Sequence, residues 1–198
     1  MEPLLRGQEV EQKKRLFVAV PVPLETLPYV QRATEAVAGL PGVRVLGEPQ
    51  WHVTLAFIGE VEAARAEAAH EVVASLPAAL GGQAELGRFL LLPSASRARV
   101  VTLEIIDQGD VFRRLFEKVM GDLEAAGVMT REKRPFRPHL TIARLKAPGP
   151  VRPRFESERA PFAVQSVCLY QSHLRREGAE YTVLCRRGLV PAQVVPGI

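Results

Sequence analysis

A near-repeat 87 residues apart constrains this chain more than any other feature: His52-Val53-Thr54-Leu55 and His139-Leu140-Thr141-Ile142. Both copies lie in strand-like surroundings, HVTLAFIG and HLTIARLK. A strand has a side-chain period of two, so each His shares a face with its Thr. Val53, Leu55, Leu140 and Ile142 then point the other way, into a core. Each segment presents an imidazole beside a hydroxyl, anchored by two apolar residues. The chain has only four histidines, and two of them occupy equivalent places in the repeat.

Two such strands facing each other would gather two imidazoles and two hydroxyls around one cavity. Histidine titrates near neutrality, so one ring can act as base while the other acts as acid. The chemistry this suits is cleavage of a bond to phosphorus. One His deprotonates a hydroxyl or water, and the other protonates the departing oxygen. Thr54 and Thr141 are placed to donate to non-bridging phosphate oxygens. Arg144, five residues after His139, supplies a planar fork that matches phosphate. Strict alternation puts it on the face opposite His139 unless a bulge or strand end redirects it. His70, on an Ala-rich helix, and His173, in an expected hairpin loop, belong to no such pattern.

The chain of 198 residues supports a single unit. With 47% hydrophobic and 24% charged residues, the composition excludes collagen, a long coiled coil and a largely disordered chain. The longest apolar run, Leu16 to Leu24, is interrupted by Pro21 and Pro23. It is far shorter than the roughly 20 residues of a membrane helix. The N-terminus lacks the apolar stretch of a secretory signal, and Cys168 and Cys185 read as reduced thiols, so a cytoplasmic protein is expected. Only three Asp occur, at 107, 110 and 122, none near either His-Thr segment. No HExxH or phosphate-binding glycine loop is found. No metal and no cofactor are expected.

Strand patterns at 15–20, 51–58, 83–92, 97–106, 139–145, 162–171 and 181–186 interleave with helical patterns at 25–38, 62–76 and 110–126. Asp110 is the expected cap of the last helix and Gly127 its stop. The order is α+β. The expected organisation is a flexible segment at 1–14, one catalytic domain at 15–187 and a tail at 188–198. The net charge is +4, yet residues 131–159 alone carry nine basic and three acidic side chains. Such asymmetry suits an anionic partner approaching one side.

These residues resemble the two-histidine phosphoesterases, marked by two HxTx motifs. Among them the chain is most similar to the RNA 2′,3′-cyclic phosphodiesterases, historically called 2′-5′ RNA ligases. RLFVAVPVP, WHVTLAFIGEV, RPFRPHLTIAR and SVCLYQSHLRREGAEYTVL carry the likeness across residues 15–187. Departures are Pro21 and the long basic loop 144–159.

The resemblance implies a bilobal α+β fold, with two pseudo-symmetric lobes, antiparallel sheets lining a central cleft and helices outside. It implies hydrolysis of RNA 2′,3′-cyclic phosphate ends to 2′-phosphates, with His139 as proton acceptor and His52 as proton donor. Thr54, Thr141 and Arg144 would hold the phosphate, and Phe17 would pack on a base. The expected partner is RNA bearing a cyclic phosphate, including tRNA halves joined by the reverse reaction, and the expected state is a monomer. Three alternatives remain open: a 2′-5′ oligonucleotide phosphodiesterase, a nucleotide cyclic phosphodiesterase, and a non-catalytic RNA-binding module.

Overall fold

Leu16 to Val20 is an unbroken apolar run because both faces of its strand are covered. Leu16, Val18 and Val20 enter the main core, while Phe17 and Ala19 join a separate small cluster with Cys168 and Tyr170. A strand buried on both faces loses polar alternation, as here. This strand lies inside the sheet of a computed structural model that describes residues 13–131, 134–155, 159–175 and 178–191.

The elements run β1 (Lys14–Pro21), α1 (Leu27–Ala38), β2 (Val43–Val45), β3 (His52–Val61), α2 (Ala63–Ser75), β4 (Gly82–Leu92), β5 (Ala98–Ile106), α3 (Val111–Ala125), β6 (His139–Gly149), β7 (Ala160–Val164), β8 (Ser166–Arg175) and β9 (Gly178–Gly188). The strands form one curled antiparallel sheet in the order β7-β4-β5-β6-β3-β1-β8-β9, with β2 added beside β6. The class is α+β. Each half has four strands, β9-β8-β1-β3 and β6-β5-β4-β7, and the motif strands β3 and β6 meet in the middle. Their one paired position among the described residues is Val53 with Leu140.

The helices bury one stripe each. Tyr29, Val30, Ala33 and Val37 of α1 recur at helical spacing, and Tyr29 donates its hydroxyl to the Gly87 carbonyl at 3.0 Å. In α3, Phe112, Leu115, Phe116, Val119, Met120 and Leu123 face the core. Gly127, at φ +67°, closes this helix: its N–H reaches the Glu124 carbonyl and the Val128 N–H reaches that of Leu123.

The cap at the other end of α3 differs from expectation. Asp110 itself is left-handed (φ 52°) and makes no cap bond; its carboxylate pairs with Arg113. Asp107 caps instead, accepting from the Val111 N–H at 2.7 Å and the Arg113 N–H at 3.1 Å. The capping carboxylate stands three residues before the expected position, because it reaches over a turn rather than from the adjoining residue.

The apolar run expected as a strand over 162–171 is two strands that part at Gln165. β7 pairs with β4 and β8 with β1, so a single residue links opposite halves of the sheet and draws their ends together. There Leu189 is buried and its N–H donates to the Gln165 carbonyl, while Val190 bonds to Ala78 and Gly81. Gly188, the first residue of the expected tail, ends β9, residues 189–191 are thus docked, and residues 1–12 and 192–198 lie outside the described residues. His173, expected in a loop, lies within β8 opposite Glu180. No described helix is long and apolar enough to cross a membrane.

Candidate active site

Along β3, Val53 and Leu55 are buried and His52 and Thr54 half-buried, as alternation requires. Then Ala56 is buried directly after Leu55, and Phe57 emerges. The register explains the change of phase. Val18 faces Ala56 but Ala19 faces Thr54, so two residues of β3 stand against one of β1. The same happens in β6, where Val101 faces Ala143 but Thr102 faces Thr141. An extra residue of this kind flips every later side chain to the other face. Arg144 therefore returns to the side of His139, resolving the parity objection raised by its spacing. Phe57 is its counterpart in β3, so the repeat is really HVTLAF and HLTIAR with the bulge in both.

Extending the Val53–Leu140 antiparallel register by one residue each way sets His52 across from Thr141 and Thr54 across from His139. The four motif residues thus ring a local two-fold axis. Each imidazole is also tied to the backbone two residues before it. His139 Nδ1 lies 2.7 Å from the Arg137 carbonyl, so in the neutral ring Nδ1–H donates and Nε2 is left as an acceptor. His52 makes the matching bond with the Gln50 backbone.

The two rings differ in surroundings. His52 sits in an aromatic box, with Phe17 at 4.8 Å between centroids, Tyr181 edge-on at 5.2 Å and Tyr170 at 6.0 Å. Burial, followed by the Arg144 charge, pushes its pKa down to about 4, against a weaker upward pull from the Gln50 bond. His52 is therefore neutral at pH 7. Phe17, expected to pack on a base, is only 4% exposed and stacks at 5.0 Å on Tyr170. Its ring is committed to the wall behind His52. Phe57, 51% exposed, is the open aromatic ring, with the Arg15 guanidinium 4.8 Å over its centroid.

Two chambers meet at Thr54, Phe57 and Arg144, which line both. The chamber on the His52 side encloses about 410 Å³ and includes Arg15, Arg44 and Arg175. The chamber on the His139 side encloses about 790 Å³ and includes Arg99, Arg134 and Arg137. No carboxylate is among the described residues lining either one. Thr141 shares the His139 face by alternation but lines neither chamber.

Part of the basic segment 131–159 points elsewhere: Arg131 pairs with Glu117 and Arg159 with Glu85. Arg15, Arg44, Arg99 and Arg175 replace them, from four separate strands, and sequence patterning did not single them out. Arg44 lies directly opposite Arg144 in the β2–β6 ladder, on a strand too short to show a period. Among the described residues, no group of three His, Cys, Asp or Glu side chains is gathered closely enough to hold a metal ion.

The pattern described as the 2′-5′ RNA ligase superfamily matches residues 23–176. A protein of Archaeoglobus fulgidus named RNA 2′,3′-cyclic phosphodiesterase is 30% identical over 175 residues, covering 84% of this chain and 96% of its own. A Thermus thermophilus protein of the same name is 32% identical, covering 86% and 87%. Among solved structures, Escherichia coli LigT complexed with 3′-AMP superposes with a TM-score of 0.76 at 26% identity, covering 90% of this chain and 99% of that one. The Thermus thermophilus protein TT0787 gives 0.74 at 30% identity, covering 88% and 97%. A family pattern running from the start of α1 to the end of β8, on relatives that match nearly end to end, makes this chain a member of the 2′-5′ RNA ligase superfamily.

Proposed function

We propose that this protein hydrolyses 2′,3′-cyclic phosphate ends of RNA to 2′-phosphates by a His/His acid–base pair, without a metal. The observation that carries the reading is the two-fold placing of His52 and His139 on either side of one arginine-lined cleft. Relatives bearing the name RNA 2′,3′-cyclic phosphodiesterase at about this identity support the substrate class.

In this mechanism His139 Nε2 takes a proton from water as its oxygen attacks phosphorus. The bond from phosphorus to O3′ breaks, and His52 delivers a proton to that oxygen. The products are a 2′-phosphate and a 3′-hydroxyl. Arg144 and Thr54 hold the non-bridging oxygens, with Thr141 behind them on the His139 strand. A neutral His52 becomes a donor only once the substrate anion sits beside Arg144. That anion offsets the guanidinium charge and makes imidazolium easier to form. Phe57, rather than Phe17, offers a base its ring.

With a 5′-hydroxyl in place of water as the nucleophile, the same steps (attack on phosphorus, breaking of the P–O3′ bond, protonation of O3′) join two RNA ends, tRNA halves among them, through a 2′-5′ linkage. A monomer suffices, because one chain supplies both histidines. The test is an oligonucleotide with a 2′,3′-cyclic phosphate, incubated with the protein in EDTA. A 2′-phosphate product is expected, with each of His52→Ala and His139→Ala lowering turnover about 10²–10⁴-fold. Undiminished turnover in either variant overturns the mechanism, and a 3′-phosphate product overturns the leaving-group assignment.

A further inference from the structure

His52 owes part of its cover to a hairpin that the sheet supports only at its base. Among the described residues, β8 pairs with β1 as far as Leu16 with Gln171. Beyond that point Ser172, Leu174 and Arg175 of β8 pair only with Tyr181, Ala179 and Gly178 of β9. Yet these same residues line the His52-side chamber. Tyr181 sets its ring edge-on to that of His52 at 5.2 Å. Pairing within the sheet does not account for a hairpin that lies against the cleft.

Gln50 does. Its Nε2 donates to the Ala179 carbonyl at 2.9 Å, across 129 residues of chain. The turn that carries it, Glu48–Gln50, has firm support. The Gln50 N–H donates to the Gly47 carbonyl, and the buried Trp51 donates its indole N–H to the Leu46 carbonyl at 3.1 Å. The Leu46 N–H in turn donates to the Ile142 carbonyl of the second motif strand. Gly178 lets the two sides meet. At φ +144°, where L side chains rarely go, a Cβ would stand 3.4 Å from Gln50 Nε2 and 3.3 Å from Arg44 Nη1.

Gln50 thus reaches both rings at one remove. Its backbone bonds the imidazole two residues on, and its side chain holds the strand two residues before Tyr181. We propose that Gln50 is a positioning residue for the proton donor: it latches the β8–β9 hairpin over His52 and so fixes Tyr181 against the imidazole. The inference rests on the donor role of His52 given above and adds the element that keeps that ring enclosed. Burial is the largest cause of the lowered His52 pKa, so a loosened hairpin raises it. The other charged and titratable groups around the ring are Arg144 and His139 of β6, Arg15 of β1, Arg44 of β2 and Tyr170 of β8. All of these stand on paired parts of the sheet, below the latch. On the hairpin itself, Arg175 and Glu180 pair with each other.

The experiment titrates the His52 ring by NMR and records kcat/KM against pH in Gln50→Met, Gly178→Ala and the double variant. Gln50→Met keeps the length of the side chain and every backbone bond but removes the donor. Gly178→Ala pushes the hairpin away from the opposite side. In each single variant the ring pKa should climb from about 4 toward the ordinary 6.5, and the alkaline limb of kcat/KM should follow it. Turnover should fall about tenfold, part of the roughly 10²–10⁴ that a positioned acid contributes. The double variant should shift no further than the larger single one, since both changes break one contact. A native ring titration in either single variant overturns the inference, even where Tm falls. Additive shifts overturn it too, because they give the two residues separate effects. The ring titration needs no turnover, so the hydrolytic reading fails separately, if the native protein leaves the cyclic-phosphate oligonucleotide uncleaved.

Discussion

Val53 lies opposite Leu140, and this one backbone pairing joins the two halves of the sheet between the histidines of both motifs. Leu140 is fully buried and Val53 nearly so, so the apolar residue inside each motif anchors its neighbours. Truncating Leu140 to Ala should cost about 2–5 kcal/mol in denaturant unfolding, as for other fully buried leucines. Turnover per folded molecule should fall as well, because the same pair sets His52 across from Thr141. The seam has no such role if the variant is destabilised but keeps native turnover where it remains folded.

The depressed His52 sets the pH behaviour. Its pKa is about 4 through burial and the Arg144 charge, and kcat/KM reports the free enzyme. Because His52 must carry a proton to donate it, its titration in the free enzyme sets the alkaline limb of kcat/KM, which should lie well below the ordinary histidine value. Arg144→Gln removes a cation that opposes protonation, so the limb and the His52 ring resonances should move to higher pH. Turnover also drops, since the phosphate loses its guanidinium. A limb that stays in place in Arg144→Gln would show that the charge does not reach His52.

Both motif strands, their His and Thr residues and the alternation that faces them together were legible in the sequence, because period two and a repeat survive without a structure. The side of the strand on which Arg144 falls was not, since one bulged residue inverts parity and Ala143 looks no different from any other strand alanine. Nor was the break at Gln165, where a continuous apolar run serves two strands because both are buried. The arginines of the cleft come from β1, β2, β5 and β8, and only the curl of the sheet brings them together. Phe17 illustrates the converse. Its place in the first strand was readable, but the second small core that encloses it depends on Tyr170 and Tyr181 from the far end of the chain.

Enclosure gives Phe17 a positioning role. Its ring is 4.8 Å from that of His52, and with Tyr181 it keeps water from that imidazole. Phe17→Leu should loosen this wall and let the His52 pKa rise toward its ordinary value, visible as a shift in NMR titration of the ring. kcat should fall with KM little changed, because Phe17 is almost fully buried beside His52. A KM increase with native kcat would instead make Phe17 a base contact.

Phe57 should behave in the opposite way. It is exposed at the junction of both chambers, with Arg15 over its ring. Stacking of a base on an aromatic side chain is worth about 1–3 kcal/mol, so Phe57→Ala should raise KM for cyclic-phosphate RNA by roughly 5- to 150-fold. Because Phe57 touches neither histidine's backbone tether, kcat should change little, and Phe57→Trp should keep or lower KM. An unaltered KM in Phe57→Ala would mean that the base lies elsewhere in the cleft.

The cap of α3 gives a test independent of chemistry. Asp107 holds the N–H groups of Val111 and Arg113, whereas Asp110 only pairs with Arg113 at the surface. Asp107→Ala should lower stability by about 1 kcal/mol, the usual effect of losing a capping carboxylate. For a chain of this size that is roughly 2–4 °C in Tm. Asp110→Ala should have the smaller effect, since an exposed pair contributes little. If the order were reversed, the adjoining residue would be the true cap.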